Sequence, residues 1–467
     1  MFKNLINMPE ANNNTINKNV ALFVTTLSAF LTTFMASSIN IALPSIAKEF
    51  STDTVVLGWI ATAYILTASV FLVPFGKLAD IYGRKKIYAL GIIVYAISSF
   101  ITAIAPDAMT LIIARALQGI GGSMIFGTAI AILTSAFPAN ERGKVLGYNL
   151  ASTYLGLSLG PVIGGILTHQ FGWRSVFLAC VILSCILIPI VIWKLKAEWT
   201  ETKGEKFDLF GSFIYMISLL SIMYGFSILP SLKGIIILCA GIILFFVFLK
   251  IQNKVKYPIL ELSNFKRNTV FVFSNIAAFI NYSATFALGY LLSLYLQYIK
   301  GLNPQEAGFL LLAQPIAMTL FSPVAGRLSD KIEPQIVASM GMALTVFGLI
   351  PFIFLDNGTS NSYIIITLFV IGIGFALFSS PNTNAIMSSV DRKYYGVASA
   401  SVGTMRLTGQ TISMGIASMI FGIQLGKVKI TQEYFPQFIQ SIHILFIIFT
   451  ILCSLGVFAS LARGKLR

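Results

Sequence analysis

The sequence predicts an all-α integral membrane protein of fourteen transmembrane helices, built as two six-helix pseudo-repeats plus an inserted helix pair. Three observations predict it. Of 467 residues 56% are hydrophobic and only 10% charged, with a mean hydropathy of +0.84, more apolar surface than a soluble chain of this length can hide from water. Apolar stretches of the roughly 20 residues needed to cross about 30 Å of hydrocarbon recur fourteen times, and they are continuous rather than alternating, so they read as helices and not as barrel strands. Finally, a charged cassette, GKLADIYGRKK at 76–86, sits between the second and third stretches, and its opening returns at 326–330 as GRLSD, again between two apolar stretches.

In order, the elements justify themselves as follows. The first 19 residues are polar and rich in asparagine, with no apolar core or cleavage site, and predict a short cytoplasmic tail rather than a signal peptide. Helix one (20–46) carries Thr26, Thr33, Ser37 and Asn40 on one face. Helices two (55–75) and three (87–105) flank the first cassette, in which Gly76 and Gly83 predict a tight reversal and Asp80 lies one helical turn before Arg84. Helix four (109–137) places Arg115, Gln118 and Gly122 on one face, and helix five (145–167) repeats Gly156, Gly160 and Gly164 every fourth residue, a smooth ridge beside Pro161 and Gly165. Helix six (175–193) closes the first group. Two longer loops, 194–208 and 250–268, bracket helices seven (209–229) and eight (234–249). Six spans follow, at 269–298, 307–325, 336–354, 363–386, 397–421 and 438–461; the fifth of them holds Arg406, Gln410 and Ser413 on one face. The predicted units are therefore 1–193, 194–268 and 269–467, and the echo of Gly76, Leu78 and Asp80 in Gly326, Leu328 and Asp330 falls where a parallel duplication puts it.

Charge predicts orientation. With alternate loops assigned to opposite sides, 24 of the 32 Lys and Arg share the side of both termini; six lie opposite (Lys48, Arg174, Lys233, Lys300, Lys427 and Lys429) and two lie within spans. The positive-inside rule then puts both termini in the cytoplasm of a cell membrane. The net charge of +15 reads as topology and contact with anionic lipid rather than nucleic-acid binding. Cys180, Cys185, Cys239 and Cys453 all lie in apolar spans without metal-ligand spacing, so no metal and no cofactor are expected.

Six segments carry a family resemblance. GKLADIYGRKK, ARALQGIGGS at 114–123, LGLSLGPVIGG at 155–165, NIALPSI at 40–46, GWIATAYIL at 58–66 and PNTNAIMSSV at 381–390 occur in an order that resembles the major facilitator superfamily, specifically its fourteen-helix drug:proton antiporter branch. The resemblance implies a monomeric secondary transporter that exports amphipathic small molecules by alternating access, with protons as coupling ion. It implies gating by the cassette, a role for Arg115 in gating or proton handling, and a helix-five glycine ridge that faces the opposite half.

From the residues themselves, Asp80 and Arg84, with Glu141 of the next cytoplasmic loop, are candidates for an ionic latch, with Gly326 and Asp330 as the counterpart; the alternative is that Arg84, Lys85 and Lys86 only anchor topology. A cation near mid-bilayer costs about 2.5 to 3.5 kcal/mol on insertion scales, so Arg115, about 10 Å from its helix end, and Arg406, about 14 Å from its own, imply water, a hydrogen-bonded partner or an anionic ligand. All seventeen acidic residues lie in loops or at helix ends. Relatives that export cationic drugs commonly carry an aspartate where this chain has Met35. His169 and His443 do not fill that gap. Asn40, Trp59, Tyr64, Arg115, Gln118, Asn149, Tyr282, Gln314 and Arg406 are the expected cavity lining, one that suits neutral or anionic cargo. An importer or facilitator on the same fold, and a non-transporting sensor, stay as alternatives; an intramembrane enzyme lacks its nucleophile and base.

Overall fold

The computed structural model describes residues 17–200, 202, 204–259, 268–390, 395–426 and 428–464. The expected tail up to residue 16, residues 260–267 of the second linker and Lys427 lie outside the described residues. Those described fold entirely into helices and connecting turns, with no strand among them.

Acidic and amide side chains at the helix starts explain where the chain enters several of the spans. Asp53, Asp107 and Asp208 accept the free N–H groups that open α2 (Thr54–Tyr82), α4 (Ala108–Ala136) and α7 (Leu209–Ser227). Asn17 and Asn268 do the same for α1 (Lys18–Phe50) and α9 (Thr269–Thr285). Between these lie α3 (Arg84–Ala103), α5 (Ala139–Phe171), α6 (Arg174–Pro189) and α8 (Leu232–Gln252).

Two predicted spans are interrupted. After α9 the chain continues as α10 (Ala287–Leu294) and a π turn to Ile299; at the joint, Ala287 N–H donates to the Ser413 hydroxyl of a neighbouring helix at 3.0 Å. The next span splits into α11 (Pro304–Leu311), opened by an Asn303/Glu306 capping box, and α12 (Ala313–Lys331). Pro315, just past the break, has no N–H for the preceding turn. Then come α13 (Pro334–Leu349), α14 (Asn361–Ser388), α15 (Tyr395–Gln424) and α16 (Phe435–Ala462). Among the described residues thirteen helical stretches are long and apolar enough to cross a membrane. Long as it is, α15 is not one of them, because Arg406, Thr408, Gln410, Thr411 and Ser413 dilute its apolar character.

Packing follows one pattern twice. In the first group α1 lies on α5, α2 and α3 on α4, and α3 on α6; in the second α9 lies on α15, α12 and α13 on α14, and α13 on α16. The groups meet along α2 with α15 and α5 with α11 and α12, while α7 rests on both α2 and α15 with α8 outside it. Hydrogen bonds between the groups run from mid-span to the end away from the termini: Ser69 with Thr408 at 3.3 Å, Ser293 to the Asn40 carbonyl at 2.6 Å, Gln297 to the Ile41 carbonyl at 3.1 Å, and Thr54 to the Gly426 carbonyl at 3.0 Å. That end is sealed.

Candidate functional site

The cassette is less of a loop than its composition predicts. Gly76, Lys77 and Asp80 continue the α2 helix, and only Gly83, at φ +122°, makes the reversal. The likeness at 326–330 is likewise helical: Gly326 and Asp330 lie inside α12, and Gly326 faces Ser380 of α14. The side chain of Asp330 lies outside the described residues. Asp80 and Arg84 do pair, at 2.7 Å, and the nearly buried Arg84 reaches α4 as well, donating to Ser135 Oγ at 2.6 Å and to the Ala131 carbonyl at 3.3 Å. Glu141 is not the third member. It stands 3.9 Å from Lys18, both about half exposed, because the α5 start faces the α1 start rather than the α2–α3 turn.

The glycine ridge also faces elsewhere than the resemblance implies. A Cβ at Gly156 would meet Thr33, one at Gly160 would meet Ser37, and one at Gly164 would meet Ser38, so the ridge receives α1 of its own group. Ser37 and Ser38 donate to the Gly156 and Gly160 carbonyls at 3.2 and 2.9 Å. The other face of α5 makes the contact across the seam, where Gly165 lies against Pro304 and the Pro161 carbonyl against Gly308.

All of the helix-one polar stripe but Asn40 lies in the same joint. Ser152 donates to the Thr26 carbonyl at 2.8 Å and Asn149 to the Thr25 carbonyl at 3.0 Å, while Asn40 sits beside Gly289 of α10. Asn149 is therefore a staple between helices, not cavity lining. Trp59 lies elsewhere again, 6.0 Å from Tyr224 in a narrow crevice between α2, α7 and α15.

Arg115 is fully buried inside the first group. Its guanidinium donates to Gln118 Oε1 at 2.5 Å and to the Ile60 carbonyl at 3.4 Å, and lies 4.7 Å from the Tyr64 ring centre; Gln118 in turn donates to Ser99 at 2.7 Å. Tyr64 and Gln118 thus form a closed cage around a cation whose described partners are all neutral. The expectation that these three line a cavity is corrected: each is at most 2% exposed.

Arg406 is the contrast. It projects from α15 across the seam to 5.5 Å from the Phe126 ring of α4, it is partly exposed, and its buried Nε has no acceptor among the described residues. Nearby, Tyr282 of α9 packs edge-on against Phe375 of α14 at 5.5 Å, in a cluster with Tyr154 of α5 and Met318 of α12. Tyr154 reaches Ser379 at 3.5 Å. Of the expected lining, Tyr282 and Arg406 belong here, and Gln314, partly buried on α12, backs its carbonyl onto Gly372. Phe126, Tyr154 and Phe375 were missed. Phe126 had a signal: it lies one turn beyond Gly122 on the stripe of Arg115 and Gln118.

Met35 is fully buried, and among the described residues no carboxylate lies at mid-span. His169 is exposed at the far end of α5, and His443 is held at 2.6 Å by the Leu355 carbonyl. All four cysteines are free thiols.

At the termini end of the second group, Arg463 is 1% exposed and donates to Asn382 Oδ1 at 3.1 Å, to Ser274 Oγ at 3.3 Å and to Ser460. Burial draws its pKa down to about 10, which leaves it charged at neutral pH.

Comparison with known proteins gives a consistent picture. Residues 25–413, and again 274–465, match the Major Facilitator Superfamily. The riboflavin transporter RibZ of Clostridioides difficile (strain 630) is 30% identical over 409 residues, 87% of this chain and 89% of that protein. The multidrug resistance protein Stp of Mycobacterium tuberculosis (strain CDC 1551 / Oshkosh) is 26% identical over 412 residues, 87% of this chain and 76% of that protein. A crystal structure of a mutant peptide transporter POT in complex with alafosfalin superposes with a TM-score of 0.69 at 13% identity, covering 94% of this chain and 95% of that one, a likeness of fold.

Proposed function

The chain belongs to the Major Facilitator Superfamily and is a multi-pass membrane transporter, not an enzyme; on that premise we propose that it exports amphipathic, aromatic small molecules of neutral or negative charge by alternating access. The carrying observation is Arg406, a cation on the seam between the two helix groups that lies over the Phe126 ring and whose Nε has no acceptor among the described residues; one turn along α15, Gly409 lies against Tyr282, which clusters with Tyr154 and Phe375. Such a place attracts an anionic or hydrogen-bond-accepting group and stacks flat rings, and it repels a second cation.

In this reading the chain is a monomer of fourteen spans, α15 included, with the two groups as duplicated units and both termini cytoplasmic in the cell membrane. The far end, tied across the seam, is then extracellular, which supports an inward-facing reading. Export is coupled to protons, as in the drug:proton antiporter branch. With no carboxylate at mid-span among the described residues, the proton travels through water or on the cargo itself. The multidrug resistance relative supports export. The riboflavin transporter supports a second reading, uptake or facilitated passage of a planar uncharged solute, which the same ring cluster would accommodate.

The test is reconstitution in liposomes with an imposed pH gradient, following internal pH together with an aromatic anion, riboflavin and a quaternary ammonium dye. Gradient-driven movement of the first or second, with matching proton flow, is expected. Movement indifferent to the gradient would rule out proton antiport, and transport of the dye alone would rule out the proposed cargo class.

A further inference from the structure

Composition treats 194–208 as a connecting loop, yet its described residues lie along the α2–α3 turn. Arg84 N–H donates to the Trp199 carbonyl at 3.0 Å, and Thr202 N–H to the Asp80 carbonyl at 3.2 Å. Both residues of the ion pair thus have their main chains held by the linker. Glu198 Oε1 accepts Lys85 N–H at 2.8 Å, at the start of α3 where a helix favours negative charge. That carboxylate occupies the space a side chain on Gly83 would need. Lys77 pairs with Glu205 at 2.6 Å, side chains only 13% and 28% exposed, so salt screens this contact less than a surface pair. Leu195 is buried, and Trp199 packs on the core of the first group.

The tie continues outward. Three residues past Glu205, Asp208 opens α7 and accepts Gln252 Nε2 at 2.7 Å, and Gln252 Oε1 accepts the Ile259 N–H at 2.8 Å. One run of contacts therefore joins the gate turn to the inserted pair and the start of the second linker, while α7 rests on α2 and α15 across the seam.

We propose that the described linker residues 195–200, 202 and 204–206 are a working part of the gate. Glu198 and Glu205 are positioning residues: they hold the α2–α3 turn so that Asp80, Arg84 and Ser135 stay in contact, and they make α7 and α8 move with the first group when the groups rock. The inference rests on the carrier reading for its kinetic arm only. The turn carries Lys77, Arg84, Lys85 and Lys86 against one internal acid, Asp80. The linker supplies the missing negative charge through Glu198 and Glu205, whereas the latch expected from sequence drew it from Glu141 at the start of α5.

Glu198→Gln with Glu205→Gln is expected to lower turnover about tenfold with KM within about twofold, at unchanged expression. In a variant with Cys180, Cys185, Cys239 and Cys453 replaced, Lys77→Cys with Glu205→Cys is expected to show the same loss, and a short bis-maleimide joining the two is expected to restore turnover. Wild-type turnover in the glutamine pair, or joined cysteines that stay slow, overturns the proposal. Trypsin cleavage at Lys196 and Lys206 in inside-out vesicles needs no cargo: it is expected to be slow in the wild type and at least several-fold faster in the glutamine pair. Equal cleavage overturns the proposal. Slow wild-type cleavage that accelerates in the variant, with no cargo moved by either, sustains the strap and removes the proposed cargo class alone.

Discussion

Arg115 and Arg406 are both arginines deep in apolar helices, and from sequence they pose the same problem of a cation in hydrocarbon. The structure resolves it in two ways. Around Arg115 the first group closes completely, with the Gln118 amide, the Ile60 carbonyl and the Tyr64 ring as its surroundings. Arg406 stays partly exposed: the guanidinium crosses the seam to Phe126, and its Nε has no acceptor among the described residues. A buried cation whose needs are met locally holds helices together, whereas one left short of acceptors at a moving boundary is available to a ligand.

The largest expected effect comes from emptying the cage. Arg115→Ala leaves a cavity and strands Gln118 and the Ile60 carbonyl, a loss of about 2 to 4 kcal/mol that lowers the melting temperature in detergent and takes transport with it. Arg406→Gln is expected to leave that melting temperature within error. Equal destabilisation by the two changes would erase the distinction. Gly160→Ala drives a methyl into Ser37 at the α1–α5 joint and is expected to cost about 1 to 3 kcal/mol by the same melt, with cargo affinity unchanged in the protein that remains folded. Asp80→Asn weakens the hold on Arg84 and is expected to slow transport about tenfold with normal expression, because the partner reaching Ser135 and Ala131 is nearly buried. Smallest of all, Glu141→Gln removes a 3.9 Å contact between half-exposed groups, so stability is expected to shift by less than about 0.5 kcal/mol and transport not at all. A transport loss there comparable to that of Asp80→Asn would reinstate the three-membered latch.

What was legible in the chain follows from what hydropathy and spacing encode. Long apolar runs mark spans, and the acids at their edges mark caps, as Asp53, Asp107 and Asp208 show. Direction around a helix is harder to read. The stripe of Thr33 and Ser37 and the ridge of Gly156 and Gly160 were each visible, but not that they face one another, because a polar stripe satisfied by a neighbouring backbone and one facing a cavity have the same periodicity. Tyr154, Tyr282 and Phe375 come from three helices far apart in sequence, so no local pattern could gather them. Arg463 hides among the terminal charges that topology accounts for, though it is buried against Asn382 and Ser274.

The most direct measurement is the charge preference of transport. Proteoliposomes holding wild type or Arg406→Gln would be offered an aromatic carboxylate and its neutral amide at equal concentration. Wild type is expected to favour the carboxylate by about tenfold or more in kcat/KM, and the variant to lose that preference while still moving the amide. An unchanged preference in the variant, or none in the wild type, would contradict the assignment of Arg406 as the group that meets the cargo.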